Sequence, residues 1–104
     1  IVGGVGKDDF GKNILDGLKK DGVDTSLVLE SDRGSTGVAF VTYFEDGSRR
    51  FLYHFTNTPA TEPKTPNVVK MGNVQYFHIM GCSLASATFG REIIKTMRAL
   101  MVAA

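Results

Sequence analysis

The residues with the clearest chemical potential stand near the start of the chain, where Gly4, Gly6 and Gly11 surround a strand-to-helix transition. Glycines in this setting let the backbone approach phosphate, as in dinucleotide-binding and phosphate-binding loops. The third glycine of the dinucleotide pattern is absent, because Asp9 occupies its position. Asp8 stands where a phosphate loop carries the Ser or Thr that binds Mg²⁺, and both carboxylates would repel a phosphate. The pattern therefore indicates a tight turn rather than a nucleotide site.

The side chains that could bind a metal or act as a nucleophile are His54, His78 and Cys82. A lone imidazole in an apolar stretch, such as His78, is more often a hydrogen-bonded core residue than a metal ligand. Cys82 is more typical of a small packing residue, and no triad or carboxylate pair has catalytic spacing. We therefore expect no metal site and no complete catalytic centre in these residues.

The composition of the 104 residues restricts the class of protein. Twelve Lys and Arg against 11 Asp and Glu give a net charge of +1, which lacks the concentrated basic face of a nucleic-acid or membrane-surface protein. No apolar run approaches the ~20 residues of a membrane span. A single cysteine, Cys82, excludes an internal disulfide. We expect a soluble, cytoplasmic chain with no nucleic-acid or membrane partner.

The hydrophobic periodicity predicts an α/β chain with a parallel core and an antiparallel excursion. The predicted strands are 1–5, 26–30, 36–44, 49–55 and 74–80, the predicted helices are 9–21 and 86–104, and a helical turn and a loop are predicted at 67–71 and 56–66. Asp46-Gly47 predicts a type I′ hairpin turn, because both residues tolerate positive φ angles. The alternating return strand predicts a sheet with one face covered and one available.

The two ends of the chain favour a segment of a longer polypeptide. The chain begins at Ile1, and the apolar stripe of the last helix runs to Met101 without a capping Gly, Asn or Pro after it. We expect this helix to pack against residues that the 104 do not include.

Several blocks of the sequence resemble the ribokinase-like (PfkB) carbohydrate kinases. Residues 5–11 read VGKDDFG and residues 18–25 read LKKDGVDT, similar to the family's Val-Gly-x-Asp-x-Phe-Gly and Leu-x-x-x-Gly-Val-Asp-Thr block. Residues 36–40 (TGVAF) and 46–49 (DGSR) resemble the next block, Thr-Gly-x-Ala followed by an Asp-Gly turn. Residues 76–81 (YFHIMG) resemble the strand ending in His-x-x-Gly of sugar-acid kinases, including 2-keto-3-deoxygluconate kinases.

The resemblance implies part of a Rossmann-type three-layer α/β sandwich, with an antiparallel β lid formed by a hairpin at about 36–55. It implies transfer of the ATP γ-phosphate to a hydroxyl of a sugar or keto-sugar acid, with Mg²⁺ neutralising phosphate charge. A lid would exclude water from the reaction. The family's Gly-Ala-Gly-Asp motif with the catalytic aspartate, its N-terminal sugar motif and its ATP-binding region are absent from these residues. Residues 1–104 would then be an incomplete domain that itself binds neither ATP nor Mg²⁺, in an enzyme expected to form a homodimer through its lid.

The resemblance also implies which residues contact the substrate. They are Tyr53 and His54 in the return strand, Thr56 and Asn57 in the following loop, and Gly81 and Cys82 at the carboxyl end of the core strand, where parallel sheets bind ligands. Arg49 and Arg50 could pair with an acidic substrate, but solvated hairpin charges are the more common case.

An alternative is a small non-catalytic α/β binding or dimerisation module that works through its exposed hairpin. It predicts a 104-residue protein that melts cooperatively and transfers no phosphate. The kinase interpretation predicts instead a coding sequence that continues beyond Ala104 into a Gly-Ala-Gly-Asp segment.

Overall fold

The computed structural model describes all residues 1–104, which divide into two compact units, 1–61 and 62–104. The first unit begins with strand β1 (Gly3–Gly6), helix α1 (Asp9–Lys20) and strand β2 (Val28–Ser31). The two strands pair in parallel, from Gly3 opposite Val28 to Gly6 opposite Ser31. Parallel neighbours need a crossover, and α1 provides it.

Helix α1 forms where local signals agree. The Asp8 carboxylate caps it by accepting a hydrogen bond from the Gly11 N–H at 2.8 Å, and Lys19 and Lys20 lie near the negative end of the helix dipole. Gly22 follows the helix with φ of +77°, a conformation that glycine adopts without strain. The predicted helix is confirmed. Its buried apolar residue is Leu15, which forms the core of this unit with Val5 and Pro59.

Strands β3 (Val38–Tyr43) and β4 (Arg49–His54) form an antiparallel hairpin, as predicted. The type I′ prediction for its turn is wrong. Gly47 has φ of +85° but Asp46 does not have a positive φ, and the Gly47 N–H bonds to the Phe44 carbonyl at 3.0 Å. These features belong to a three-residue loop in which the glycine forms the bulge. Asp46 keeps a negative φ because its carboxylate accepts from the Ser48 N–H at 2.9 Å.

The prediction that one face of the hairpin sheet is covered is also wrong for residues 1–104. Every residue of β4 is exposed, and all of β3 except the half-buried Val38 is exposed. Large apolar side chains stand on both faces, with Phe40 and Leu52 facing each other across the strands on one side and Val41 and Phe51 on the other. The alternating side chains of β4 therefore contribute to two apolar faces, and both faces are exposed.

The second unit contains helix α2 (Ala87–Ala103) and short 3₁₀ turns at Val68–Met71 and Gly81–Ala85. Ser86 caps α2 by accepting a hydrogen bond from the Phe89 N–H at 3.2 Å, and the predicted last helix is confirmed. The helical turn predicted at 67–71 is confirmed by the 3₁₀ turn Val68–Met71. Thr65 is attached to the helix, because its N–H and hydroxyl donate to the Glu92 carboxylate at 2.8 and 2.6 Å.

The predicted strand at 74–80 is wrong, since these residues form neither strand nor helix. A strand requires a hydrogen-bonded neighbour, and the second unit contains no other strand. Tyr76 is 89% exposed and Met80 59% exposed, so the apolar run is also not covered. No helix of the chain combines the length and the apolar character needed to cross a membrane.

The contact between α1 and β1 gives a first prediction. A Cβ on Gly11 would lie 2.1 Å from the Gly6 carbonyl oxygen, so Gly11→Ala must displace backbone and should lower the free energy of unfolding by about 3 kcal/mol. Gly17→Ala is the matched control in the same helix, because no atom lies within 4 Å of its Cβ position. That change should raise stability by about 0.5–1 kcal/mol. Denaturant unfolding of both variants checks this, and equal effects would contradict the close packing.

The attachment of Thr65 to α2 gives a second prediction. The Thr65 hydroxyl and N–H, with a smaller contribution from Lys95, lower the pKa of Glu92 from 4.5 to about 2. A lowered folded-state pKa stabilises the protein above pH 4.5, and this contribution is lost as pH falls from 4.5 towards 2. Thr65→Val should return the Glu92 pKa towards 4.5, whereas the control Thr88→Val in α2 should leave it unchanged. An NMR titration of the Glu92 carboxyl carbon measures both, and an unshifted pKa in Thr65→Val would refute the assignment.

Candidate functional site

The best-connected polar group in the first unit lies where the β3–β4 hairpin leaves the β1–α1 turn. Thr36, two residues before β3, is buried, and its N–H and hydroxyl both donate to the Asp8 carboxylate, at 2.8 and 2.6 Å. Asp8 also accepts from the Gly11 N–H as the cap of α1. The carboxylate therefore joins the start of the helix to the start of the hairpin.

These hydrogen bonds favour the ionised form of the Asp8 carboxylate. The Thr36 hydroxyl, then the Thr36 and Gly11 amides, hold the pKa of Asp8 below its usual value, because each donor stabilises the ionised form. The carboxylate oxygens thus accept hydrogen bonds from groups of their own chain. This use of Asp8 supports the interpretation of the glycine-rich turn as a structural feature rather than a nucleotide site.

The Thr36 hydroxyl completes the group by accepting a hydrogen bond from the Gly6 N–H at 2.9 Å. Glycine is required at position 6, because a Cβ there would lie 2.5 Å from the Gly34 carbonyl oxygen and 2.8 Å from the Thr36 nitrogen. The end of β1, the start of α1 and the approach to β3 thus meet too closely for a side chain at position 6. We call Asp8, Thr36 and the Gly6 and Gly11 amides the Asp8–Thr36 clamp.

The exit of the hairpin packs against its entrance. Asn57 has φ of +58°, and Thr58 donates through its N–H and hydroxyl to the Phe55 carbonyl at 3.1 and 2.6 Å. A Cβ on Gly34 would lie 3.2 Å from the Asn57 carbonyl oxygen, and one on Gly37 would lie 3.0 Å from the Phe55 ring. The two connecting segments therefore form one closely packed root, which we call the hairpin root.

The structure places Tyr53, His54, Thr56 and Asn57 in this unit, at the end of β4 and in the turn beyond it, and all four are exposed. Tyr53 and His54 point to opposite faces of the hairpin, because neighbouring side chains in a strand alternate. Tyr53 stacks in a row between Phe51 and Phe55, with ring centroids 5.7 and 5.4 Å away. On the other face, the His54 ring meets the edge of Phe40 at 6.0 Å. The two side chains cannot contact a ligand from the same face of the sheet.

Arg49 and Arg50 lie over aromatic rings near the tip of the hairpin. The Arg49 guanidinium is 5.9 Å from the Tyr43 ring centre and that of Arg50 is 5.7 Å from the Phe44 ring centre. Both side chains are also exposed, in agreement with the interpretation of these residues as solvated hairpin charges.

Gly81 and Cys82 lie in the second unit, in the 3₁₀ turn Gly81–Ala85. Cys82 is an exposed free thiol. Because the strand expected before them does not form here, the structure does not place them at a strand end. Within residues 1–104, no group of three or more His, Cys, Asp or Glu side chains has the arrangement of a metal site.

The clamp was missed at the sequence level because its partners are 28 residues apart. In the sequence, Asp8 stands out only as an acidic residue of the glycine-rich turn, and Thr36 only as the first residue of a predicted strand. A usable signal existed, since both residues occur in the blocks of sequence, VGKDDFG and TGVAF, on which the family resemblance rests.

Comparison with known proteins identifies relatives that match nearly all or half of the chain. A family model described as pfkB family carbohydrate kinase matches residues 1–103. Fructokinase-2 of Oryza sativa subsp. japonica is 32% identical over 103 residues, which are 95% of this chain and 30% of the relative. Ribokinase of Schizosaccharomyces pombe is 46% identical over 52 residues, which are 50% of this chain and 16% of the relative. The chain spans less than a third of the length of these curated relatives.

A solved structure agrees with these sequence matches. The crystal structure of a candidate ribokinase II from E. coli, in complex with ATP and Mg²⁺, superimposes with a TM-score of 0.80 and 30% identity, over 95% of this chain and 33% of that one. The predicted α/β fold class with an antiparallel hairpin is confirmed.

The positive φ of Asn57 gives a third prediction. Asn57→Ala should lower the free energy of unfolding by roughly 1 kcal/mol, because a Cβ is unfavourable in the left-handed region without the compensating amide. Asn57→Gly should keep stability nearly unchanged, since glycine adopts this conformation freely. Asn13→Ala, in the exposed part of α1, is the control and should cost nothing. Thermal unfolding distinguishes the three, and equal losses in Ala and Gly variants would disprove the conformational cause.

Proposed function

Because this chain belongs to the pfkB family of carbohydrate kinases, we propose that the protein containing it transfers the γ-phosphate of ATP to a hydroxyl group of a sugar or keto-sugar acid. The match of the family model over residues 1–103 carries this proposal. The hairpin adds support, since the sequence blocks that resemble the family place its lid at 36–55, where β3 and β4 lie.

The hairpin of β3 and β4 acts as the lid over the sugar in this proposal. A lid must offer side chains to the substrate and remove water, because water competes with the sugar hydroxyl for the transferred phosphate. The aromatic row Phe51–Tyr53–Phe55 provides one apolar face for this purpose, and Thr56 and Asn57 add hydrogen-bonding groups at the root of the same hairpin. Gly81 and Cys82 are proposed as further sugar contacts.

The second face of the hairpin supports a homodimer through the lid. Phe40 and Leu52 are 56% and 58% exposed, and they lie opposite each other in the register of the two strands. A lid that binds substrate on one face leaves the other face apolar and uncovered, and a second copy of the chain could cover it. Tyr53 and His54 would then serve different faces of the lid.

ATP and Mg²⁺ are the proposed cofactors of the whole enzyme, and the E. coli relative was crystallised with both. Residues 1–104 do not fit this pair. In their one glycine-rich helix start, the Gly6 and Gly11 amides already donate to Thr36 and Asp8, and the carboxylates of Asp8 and Asp9 face an incoming phosphate with like charge. We therefore assign binding of ATP and Mg²⁺ to other parts of the enzyme. We also propose a cytoplasmic location, because that compartment provides ATP and keeps an exposed thiol such as Cys82 reduced.

The function is tested with the full-length polypeptide that contains these residues. A coupled assay of ATP consumption with fructose, ribose and 2-keto-3-deoxygluconate should show sugar-dependent turnover with one or more of them, because the relatives are named fructokinase and ribokinase. Asn57→Gly keeps the backbone and removes the amide, and it should raise the KM for that sugar by roughly 10-fold. Glu45→Gln at the hairpin tip is the control.

The outcomes separate the proposals. Absence of sugar-dependent turnover in the whole protein would overturn the kinase proposal and would favour the binding or dimerisation module. Turnover with an unchanged sugar KM in Asn57→Gly would keep the kinase proposal and remove Asn57 from the sugar contacts.

A further inference from the structure

The hairpin extends from the first unit with little support along its length. All residues of β4 are exposed, and β3 is exposed beyond Val38. Its six-residue strands span about 20 Å at ~3.4 Å per residue, so a rotation of ~10° at the base moves the tip by about 3.5 Å. The direction of the hairpin therefore depends on how its root is held.

The Asp8–Thr36 clamp is the polar connection that holds this root. Thr36 is only 5% exposed, and its N–H and hydroxyl both reach Asp8, while the hydroxyl also accepts from Gly6. These bonds connect residues 28 to 30 positions apart and therefore join elements that are otherwise separate.

The segment that leaves the hairpin packs closely against the segment that enters it, so we expect the two to move together. Gly34 and Gly37, on either side of Thr36, pack closely against Asn57, Phe55 and Thr58, since a Cβ on either glycine would lie 3.0–3.2 Å from their atoms. A rotation of the chain at Thr36 would therefore carry the segment 55–58 with it. That segment includes Thr56 and Asn57, and the ring centroid of its Phe55 lies 5.4 Å from that of Tyr53. Thr56, Asn57 and Tyr53 are residues proposed to contact the sugar.

We propose that Asp8 and Thr36 are positioning residues that fix the orientation of the hairpin in which it closes over the sugar. Neither residue contacts substrate; they act through the hairpin root. This inference rests on the proposed function for its kinetic consequence, but the orientation of the hairpin can be measured without any activity.

Two isosteric substitutions break the clamp in different places. Thr36→Val removes the hydroxyl and keeps the shape of the side chain. Asp8→Asn keeps a good helix cap for Gly11 but replaces the other carboxylate oxygen with an amide nitrogen, which cannot accept from the Thr36 N–H. Thr36→Ser retains the hydroxyl and should rescue, and Thr42→Val in exposed β3 is the control.

The kinetic test uses the full-length polypeptide. In Thr36→Val and Asp8→Asn we expect the sugar KM to rise about 10-fold or more, with the ATP KM within about 2-fold of the parent protein. ADP formed should also exceed sugar phosphate formed, because water then attacks the γ-phosphate of ATP in place of the sugar hydroxyl, giving ADP and inorganic phosphate. Thr36→Ser and Thr42→Val should keep the parent KM values and a product ratio near one.

The orientation test uses spin labels at Lys12→Cys in α1 and Glu45→Cys at the hairpin tip, with the other cysteines replaced. The labelled chain is mixed with an excess of unlabelled chain, so that distances within one subunit dominate even in a dimer. Pulsed EPR should then give one narrow distance distribution for the parent and for Thr36→Ser, and broad distributions for Thr36→Val and Asp8→Asn.

The two measurements separate the inference from the proposed function. Unchanged distances in Thr36→Val and Asp8→Asn overturn the positioning role, whatever the activity. Broadened distances in a protein that phosphorylates no sugar support the clamp and overturn the kinase. Broadened distances with an unchanged sugar KM overturn the link between hairpin orientation and sugar binding.

Discussion

The first unit depends on the three hydrogen bonds that the Asp8 carboxylate accepts. This one carboxylate caps α1, and it also accepts hydrogen bonds from the N–H and hydroxyl of Thr36, where the chain enters the hairpin. A buried N–H and hydroxyl without partners would be unfavourable, so these groups fix the path of the chain as well as its stability. The glycines at 6 and 11 follow from this arrangement, because the elements meet too closely for a Cβ.

The family relationship and the geometry describe different properties of the chain. The family match covers residues 1–103 and shows membership of the pfkB family, whereas the structure shows how one hairpin is held and which side chains share its faces. The separation of Tyr53 from His54 is a result of this kind. Resemblance grouped them as substrate contacts, and strand alternation assigns them to opposite sides.

The parts of the fold that sequence could predict are those decided by neighbouring residues. Helix α1 has its cap, its charge pattern and the following Gly22 within one stretch, and the prediction was confirmed. The hairpin was predicted from alternation, but its turn type was not, because the side chain of Asp46 satisfies the Ser48 amide in a conformation that dipeptide preference does not reveal. The strand at 74–80 failed for a different reason. An apolar segment forms a strand only where another strand lies beside it to complete its hydrogen bonds. Residues 62–104 contain no such strand. The clamp was not predicted, since nothing local connects Asp8 with Thr36; their occurrence in the two family-like blocks marks both residues but does not pair them.

The alternation of Tyr53 and His54 has a consequence for how this hairpin can diverge. The length of the Glu45–Gly47 loop sets which residue of β4 faces each residue of β3. Loss or gain of one amino acid there would slide the return strand by one position and exchange phenol for imidazole on each side. A single codon in this exposed loop would thus change which side chains each face of the hairpin presents.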